Sequence, residues 1–212
     1  MKTISISRGT WIAASLLMPV IGIAACIAAD GPADLDIIDC HTHFFDPSQP
    51  ESVARHKGIV LPKQLRQIKA FRPITGTVIV EASPKVEVNQ WLLDLAKDDP
   101  FVLGIVGNLT PGDPDFAKHL KRFAADPLFR GIRISAPLLK KMLDSDALAD
   151  FRLLAEHDLT LDVNGTDAPN EVARLASKLP SLRIVLNHMG TVAITESAPP
   201  AAWKEAIRTA AA

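Results

Sequence analysis

Six short runs rich in β-branched and apolar residues recur along the chain, at 35–44, 76–81, 101–109, 131–135, 159–163 and 182–188. Val78, Ile79 and Val80, and again Ile184, Val185 and Leu186, are apolar on both parities, as parallel strands covered on both faces require. The stretches between them are amphipathic. Val88, Trp91, Leu92 and Leu95 fall on one helical face, as do Phe116, Leu120 and Phe123, and then Val172, Leu175, Ala176 and Leu179. Ser83-Pro84 and Asp113-Pro114 each supply a cap and a first helical position, and a third start lies near Asp167.

This alternation predicts a parallel α/β fold. A doubly wound sheet would carry a glycine-rich turn after its first strand, whereas here that turn reads His41-Thr42-His43-Phe44-Phe45-Asp46-Pro47. A TIM (β/α)8-type barrel fits better, and about six βα units are present. A complete barrel takes about 250 residues, so the expectation is an incomplete one, missing its last units, either as a fragment or as an open sheet.

The first thirty residues follow another pattern. Lys2 and Arg8 precede an apolar stretch that ends in small residues, which marks 1–29 as a signal peptide and leaves 34–212 as the barrel domain. Within it, Ile23-Ala24-Ala25-Cys26 resembles a bacterial lipobox, with Cys26 the lipidation site; ordinary cleavage after Ala29 and an uncleaved anchor helix are the alternatives. All three place the domain outside the cytoplasm, as a periplasmic or membrane-anchored lipoprotein that meets membrane only through its lipid anchor or signal segment. With 48% apolar and 22% charged residues among 212, the chain can bury a core. A net charge of -1 and no long basic run exclude a nucleic-acid partner, leaving a small-molecule substrate.

Chemistry concentrates at the first strand. Side chains alternate there, so Asp39, His41 and His43 share one face, with both imidazoles at the C-terminal end where barrel active sites sit. Two imidazoles at that spacing reach one metal or one substrate. Cys40 points the opposite way and reads as core. His119 and His157 read as solvated positions on helices, and His56, beside Arg55 and Lys57 in the loop after the first strand, as either a contact for an acidic substrate or plain surface. No G-x-S-x-G, C-x-x-C or P-loop occurs, which removes serine-hydrolase, zinc-finger and nucleotide-hydrolase readings.

Ile38-Asp39-Cys40-His41-Thr42-His43-Phe44 resembles the first-strand motif of the amidohydrolase superfamily. Val78-Ile79-Val80-Glu81-Ala82-Ser83, Gly104-Ile105-Val106-Gly107-Asn108-Leu109, Phe129-Arg130-Gly131-Ile132-Arg133-Ile134 and Leu186-Asn187-His188-Met189-Gly190 resemble its amidohydrolase-related (amidohydrolase 2) branch, which includes sugar-lactone and dicarboxylate-lactone hydrolases. The resemblance implies a hydrolase acting on a small lactone-like or carboxylated substrate. Water would attack a carbonyl polarised by His41, His43 and His188, directly or through one divalent metal such as zinc, so the cofactor is one metal or none. Glu81 would join the three histidines as a metal ligand or support them as a nearby carboxylate, with a helix N-terminal charge as its other reading; Arg133, with His56, would bind substrate, with an ion pair in the barrel interior as its other reading. The branch's carboxylated lysine has no counterpart, and its general-base aspartate would lie beyond Ala212. Two rivals stand beside this reading: a non-catalytic truncated lipoprotein, either a binding module or a decayed enzyme, and a metal-dependent phosphoesterase.

Overall fold

The computed structural model describes residues 36–49, 58–71 and 73–212. The signal-peptide and lipidation expectations for 1–29 and Cys26, and the substrate contact expected of His56, lie outside the described residues. Among those described, no helix is long and apolar enough to cross a membrane.

Six strands form one parallel sheet in sequence order: β1 (Ile37–Thr42), β2 (Ile74–Val80), β3 (Val102–Gly107), β4 (Phe129–Ser135), β5 (Thr160–Asn164) and β6 (Arg183–Leu186). Each run of apolar residues in the sequence is a strand, and the strict order of neighbours is that of an incomplete TIM barrel, a sheet curled part of the way round. Helices α1 (Pro62–Gln67), α2 (Val88–Lys97), α3 (Phe116–Phe123), α4 (Ala136–Asp144), α5 (Ala149–Glu156), α6 (Ala168–Lys178) and α7 (Ala201–Ala210) fill the connections. The β4–β5 connection holds two helices rather than one.

The core lies between the sheet's outer face and these helices. Ile79, Ile105, Ile132, Leu161 and Val163 point out of the sheet onto Leu92, Leu120, Leu139, Phe151, Leu154 and Leu175, all fully buried or nearly so. Phe123 of α3 stacks on Phe129 of β4 with ring centroids 5.6 Å apart, so the predicted apolar face of that helix is the buried one. Close approach of β4 to β5 needs a residue without a side chain: a Cβ on Gly131 would collide with the Thr160 hydroxyl and carbonyl.

Three expectations are corrected. The helices assigned to Ser83-Pro84 and Asp113-Pro114 begin at Val88 and Phe116 instead, and Asp113 Oδ1 accepts the Asp115 N–H in a local turn. Ser83 Oγ accepts the Lys85 N–H in a local turn, so its capping chemistry serves the loop and not the helix. Cys40 is exposed rather than core, because β1 borders only β2 among the described strands and no described helix covers that face. Ile37 and Ile38 are exposed on the same strand, which pairs on one side only among the described strands.

Candidate active site

The C-terminal ends of the strands bring together side chains from opposite edges of the sheet. His41 and His43 come from the end of β1 and His188 from the turn after β6. Curling of the sheet sets the His41 and His188 rings 4.6 Å apart, while His41 and His43 meet edge to face at 5.0 Å. The three histidines expected to act together therefore do lie together.

Each imidazole is differently prepared. His43 Nδ1 donates to the Val80 carbonyl at 2.7 Å; a carbonyl only accepts, so Nδ1 carries a proton. His41 is pushed down to about 4, first by burial and then by the neighbouring His43, His188 and Arg133 charges, against a small opposing pull from Asp39. It is a neutral ring at neutral pH. Its main-chain N–H is held by Asp39 Oδ1 at 3.0 Å, and its Nε2 is buried with no partner. His188 is exposed at the mouth.

Across the floor run three charged groups. Arg133 of β4 donates from Nε to Glu81 Oε1 at 3.1 Å and from Nη2 to the Glu81 carbonyl at 2.5 Å. Arg133 thus spends Nε and Nη2 on Glu81, and Glu81 gives Oε1 and its carbonyl to Arg133. The pair is the interior ion bridge that an arginine and a glutamate at the ends of two neighbouring-but-one strands naturally form. Burial pushes the Glu81 carboxyl up in spite of Arg133, and it pushes the Asp162 carboxyl up in spite of hydrogen bonds and the same guanidinium.

Asp162 and Asn187 were not singled out from sequence. Asp162 is opposite Arg133 in the β4–β5 register and is 4% exposed. Its Oδ2 accepts from Asn187 Nδ2 at 2.9 Å, whereas its Oδ1 and Asn187 Oδ1 are buried without partners. A carboxylate between Leu161 and Val163, in the centre of an apolar run, was the available signal.

The turn that carries His188 is unusual. His188 and Met189 have φ of 50°, Gly190 69° and Thr191 56°. Three of these four residues have side chains, and each such left-handed residue costs about 1 kcal/mol. Gly190 is required: a Cβ there would lie 2.6 Å from Pro169 Cγ of α6. The turn is tied on one side by Asn187 N–H to the Val163 carbonyl at 2.9 Å, and on the other by Trp203 Nε1 to the Met189 carbonyl at 2.8 Å. Of the remaining histidines, His119 is half-buried on α3 and His157 is exposed at the end of α5, both away from the cluster.

Neutral imidazoles are donors of the kind zinc takes. Yet among the described residues no group of three or more His, Cys, Asp or Glu side chains is arranged to hold one ion. Of the expected set, Glu81 accepts from Arg133 through Oε1, while His41 lies 4.6 Å from His188 and 5.0 Å from His43 between ring centroids, so the imidazoles stay close enough to share one ligand. What the cluster offers by itself is a His43 fixed through Nδ1, a neutral His41, and an accessible His188.

Residues 38–212 match the model of a protein family described as amidohydrolase. A curated relative, the L-fucono-1,5-lactonase of Burkholderia ambifaria, is 31% identical over 193 residues, covering 82% of this chain and 63% of that protein. The chain thus spans less than two thirds of that relative's length. Among solved structures, an amidohydrolase from Burkholderia multivorans with bound zinc superposes with a TM-score of 0.69 at 21% identity, over 84% of this chain and 66% of that one. A probable 2-pyrone-4,6-dicarboxylic acid hydrolase from Acinetobacter baumannii with citric acid bound gives 0.59 at 16% identity, over 83% and 65%. At these identities the two structures share the fold.

Proposed function

The chain belongs to the amidohydrolase family, and from that membership we propose that it serves a hydrolase that opens small lactones, with a neutral, hydroxyl-bearing lactone preferred to a dicarboxylate. The observation that carries this reading is the meeting of His41, His43 and His188 at the strand ends, above an Arg133 already engaged by Glu81. Unpaired buried atoms on this floor are His41 Nε2, Asp162 Oδ1 and Asn187 Oδ1. The floor thus holds unpaired carboxylate and amide oxygens, and the Arg133 guanidinium already spends Nε and Nη2 on Glu81. A doubly anionic substrate would meet two carboxylates and one occupied guanidinium, an arrangement that disfavours it.

In this reading the substrate carbonyl faces His188, and water approaches from the His43 side. His43 Nε2 accepts a proton as the water oxygen bonds to the carbonyl carbon. The ring C–O bond then breaks, and the proton returns to the departing ring oxygen, leaving a hydroxy acid. Val80 holds His43 in the tautomer this requires. The zinc of the Burkholderia multivorans structure belongs to that protein; whether this chain responds to zinc is an arm of the test. Residues 1–29, with Cys26, support an exported, lipid-anchored enzyme.

The test is acid release, by pH indicator, from a hydroxylated 1,5-lactone and from a pyrone dicarboxylate, each with added zinc and with chelator. Turnover of the neutral lactone well above its spontaneous rate is expected. No turnover of either compound under any of these conditions overturns the reading, and preference for the dicarboxylate overturns its finer part.

A further inference from the structure

The histidine that comes from the far edge of the sheet is not held by its own strand alone. β6 ends at Leu186, and His188 opens a single left-handed helical turn, His188–Thr191. Its orientation depends on what grips the turn from outside. On the strand side, Asn187 is fixed twice, by its N–H to the Val163 carbonyl and by its side chain to Asp162. These bonds fix the residue before His188. After it, the Gly190 N–H closes back onto the Asn187 carbonyl at 3.0 Å, which leaves the Met189 carbonyl of that peptide unit to be fixed from elsewhere.

The other grip comes from α7. Trp203 is half-buried, and its indole N–H donates to the Met189 carbonyl at 2.8 Å. The same nitrogen lies 3.8 Å from where a Gly190 Cβ would be, so the indole lies over the turn as well as bonding to it. Pro169 of α6 closes against Gly190 from below. An indole N–H has one bond to give, and here it goes to the carbonyl that immediately follows His188.

We propose that Trp203 is a positioning residue for His188: through the Met189 carbonyl it holds the left-handed turn in the conformation that presents the imidazole to His41. The proposal rests on His188 belonging to the active constellation. Asp162 and Asn187 form the matching grip on the strand side. His188 then moves only if one of the two grips releases, and α7 becomes a part of the site without touching substrate.

Trp203→Phe keeps an aromatic ring against the turn and removes only the donor. In the full chain, labelled with 15N-histidine, this variant should shift the ring signals of His188 and of its neighbour His41 while leaving His119 and His157 unmoved. If the hydrolysis reading holds, kcat should fall about tenfold, the loss of one hydrogen bond's positioning energy, with KM within twofold and the melting temperature nearly unchanged. Unmoved His188 signals in a folded Trp203→Phe protein overturn the proposal, whatever the activity does. A protein inactive on every lactone, but with His188 signals that move, overturns the hydrolysis reading and leaves the latch standing. Should the variant not fold, the unsubstituted protein decides: the Trp203 indole proton must exchange with solvent at least tenfold more slowly than that of a free indole, and exchange at the free rate overturns the latch.

Discussion

Arg133 grips Glu81 at two points, side chain to side chain at 3.1 Å and side chain to main chain at 2.5 Å. Both side chains are largely withdrawn from water, at 14% and 11% exposure. Removing one partner strands the other, so Arg133→Met should cost about 3 kcal/mol of stability. Adding Glu81→Gln to it should recover most of that loss. Urea unfolding of the two single variants and the double variant gives the coupling; additive losses would mean that the two groups are not paired.

Asp162 gives stability a definite pH trend. Its carboxyl is raised by burial, so the folded protein binds this proton more tightly than the unfolded chain does. The group's contribution is complete below the unfolded value of about 4 and is lost as pH rises through the folded value. Asp162→Asn keeps an oxygen for Asn187 and removes the charge. The variant should be more stable than the parent at pH 8, with the margin closing as the pH falls toward 4. A margin independent of pH would contradict this account.

His41 has the opposite sign. Held down to about 4, it stays neutral in the folded chain where an unfolded histidine would already be charged. Its contribution is present above the unfolded value of about 6.5 and is lost as pH falls from there toward the folded value. An NMR titration should find the His41 ring unprotonated at pH 5.5. A midpoint near 6.5 would show that the ring is neither buried nor crowded by cations.

The hydrolysis reading is sharpest at His43. His43→Asn removes the acceptor nitrogen, and turnover of the neutral lactone should fall roughly 100-fold or more. His157→Asn, on an exposed helix end, should change it less than twofold. Equal effects of the two substitutions would argue against a role for the cluster.

Gly131→Ala tests the packing of β4 on β5. The added methyl has no room beside the Thr160 carbonyl, which is main chain and cannot rotate away, so a loss of about 2 kcal/mol is expected. Thermal unfolding measures it, and an unchanged midpoint would mean that the two strands are farther apart than the sheet register requires.

The strands were legible because a parallel sheet covered by helices writes continuous apolar runs, and Val78 to Val80 or Leu161 with Val163 leave little choice of element. The clustering of His41, His43 and His188 was legible from motif resemblance, since alternation alone ties only the first two together. Other features escaped for physical reasons. Ser83 can cap a helix or close a turn, and only tertiary context decides. Cys40 has the sequence neighbourhood of a buried position, but burial depends on a covering element that periodicity does not specify. The Arg133–Glu81 bridge joins residues of different strands, and nothing local in either segment announces the other. Trp203 lies in an amphipathic helix, but nothing in that pattern names Met189 as its partner.

Because every strand of this sheet pairs with its neighbour in sequence, most contacts close short loops and can form in any order. The His41–His188 contact is the exception, since it joins the first described strand to the turn after the last. It therefore closes a much longer loop than any strand pairing does, at a greater cost in chain entropy, and the 4.6 Å between those two rings is a gauge of the described sheet's curvature: a strand that flattens pulls the two imidazoles apart.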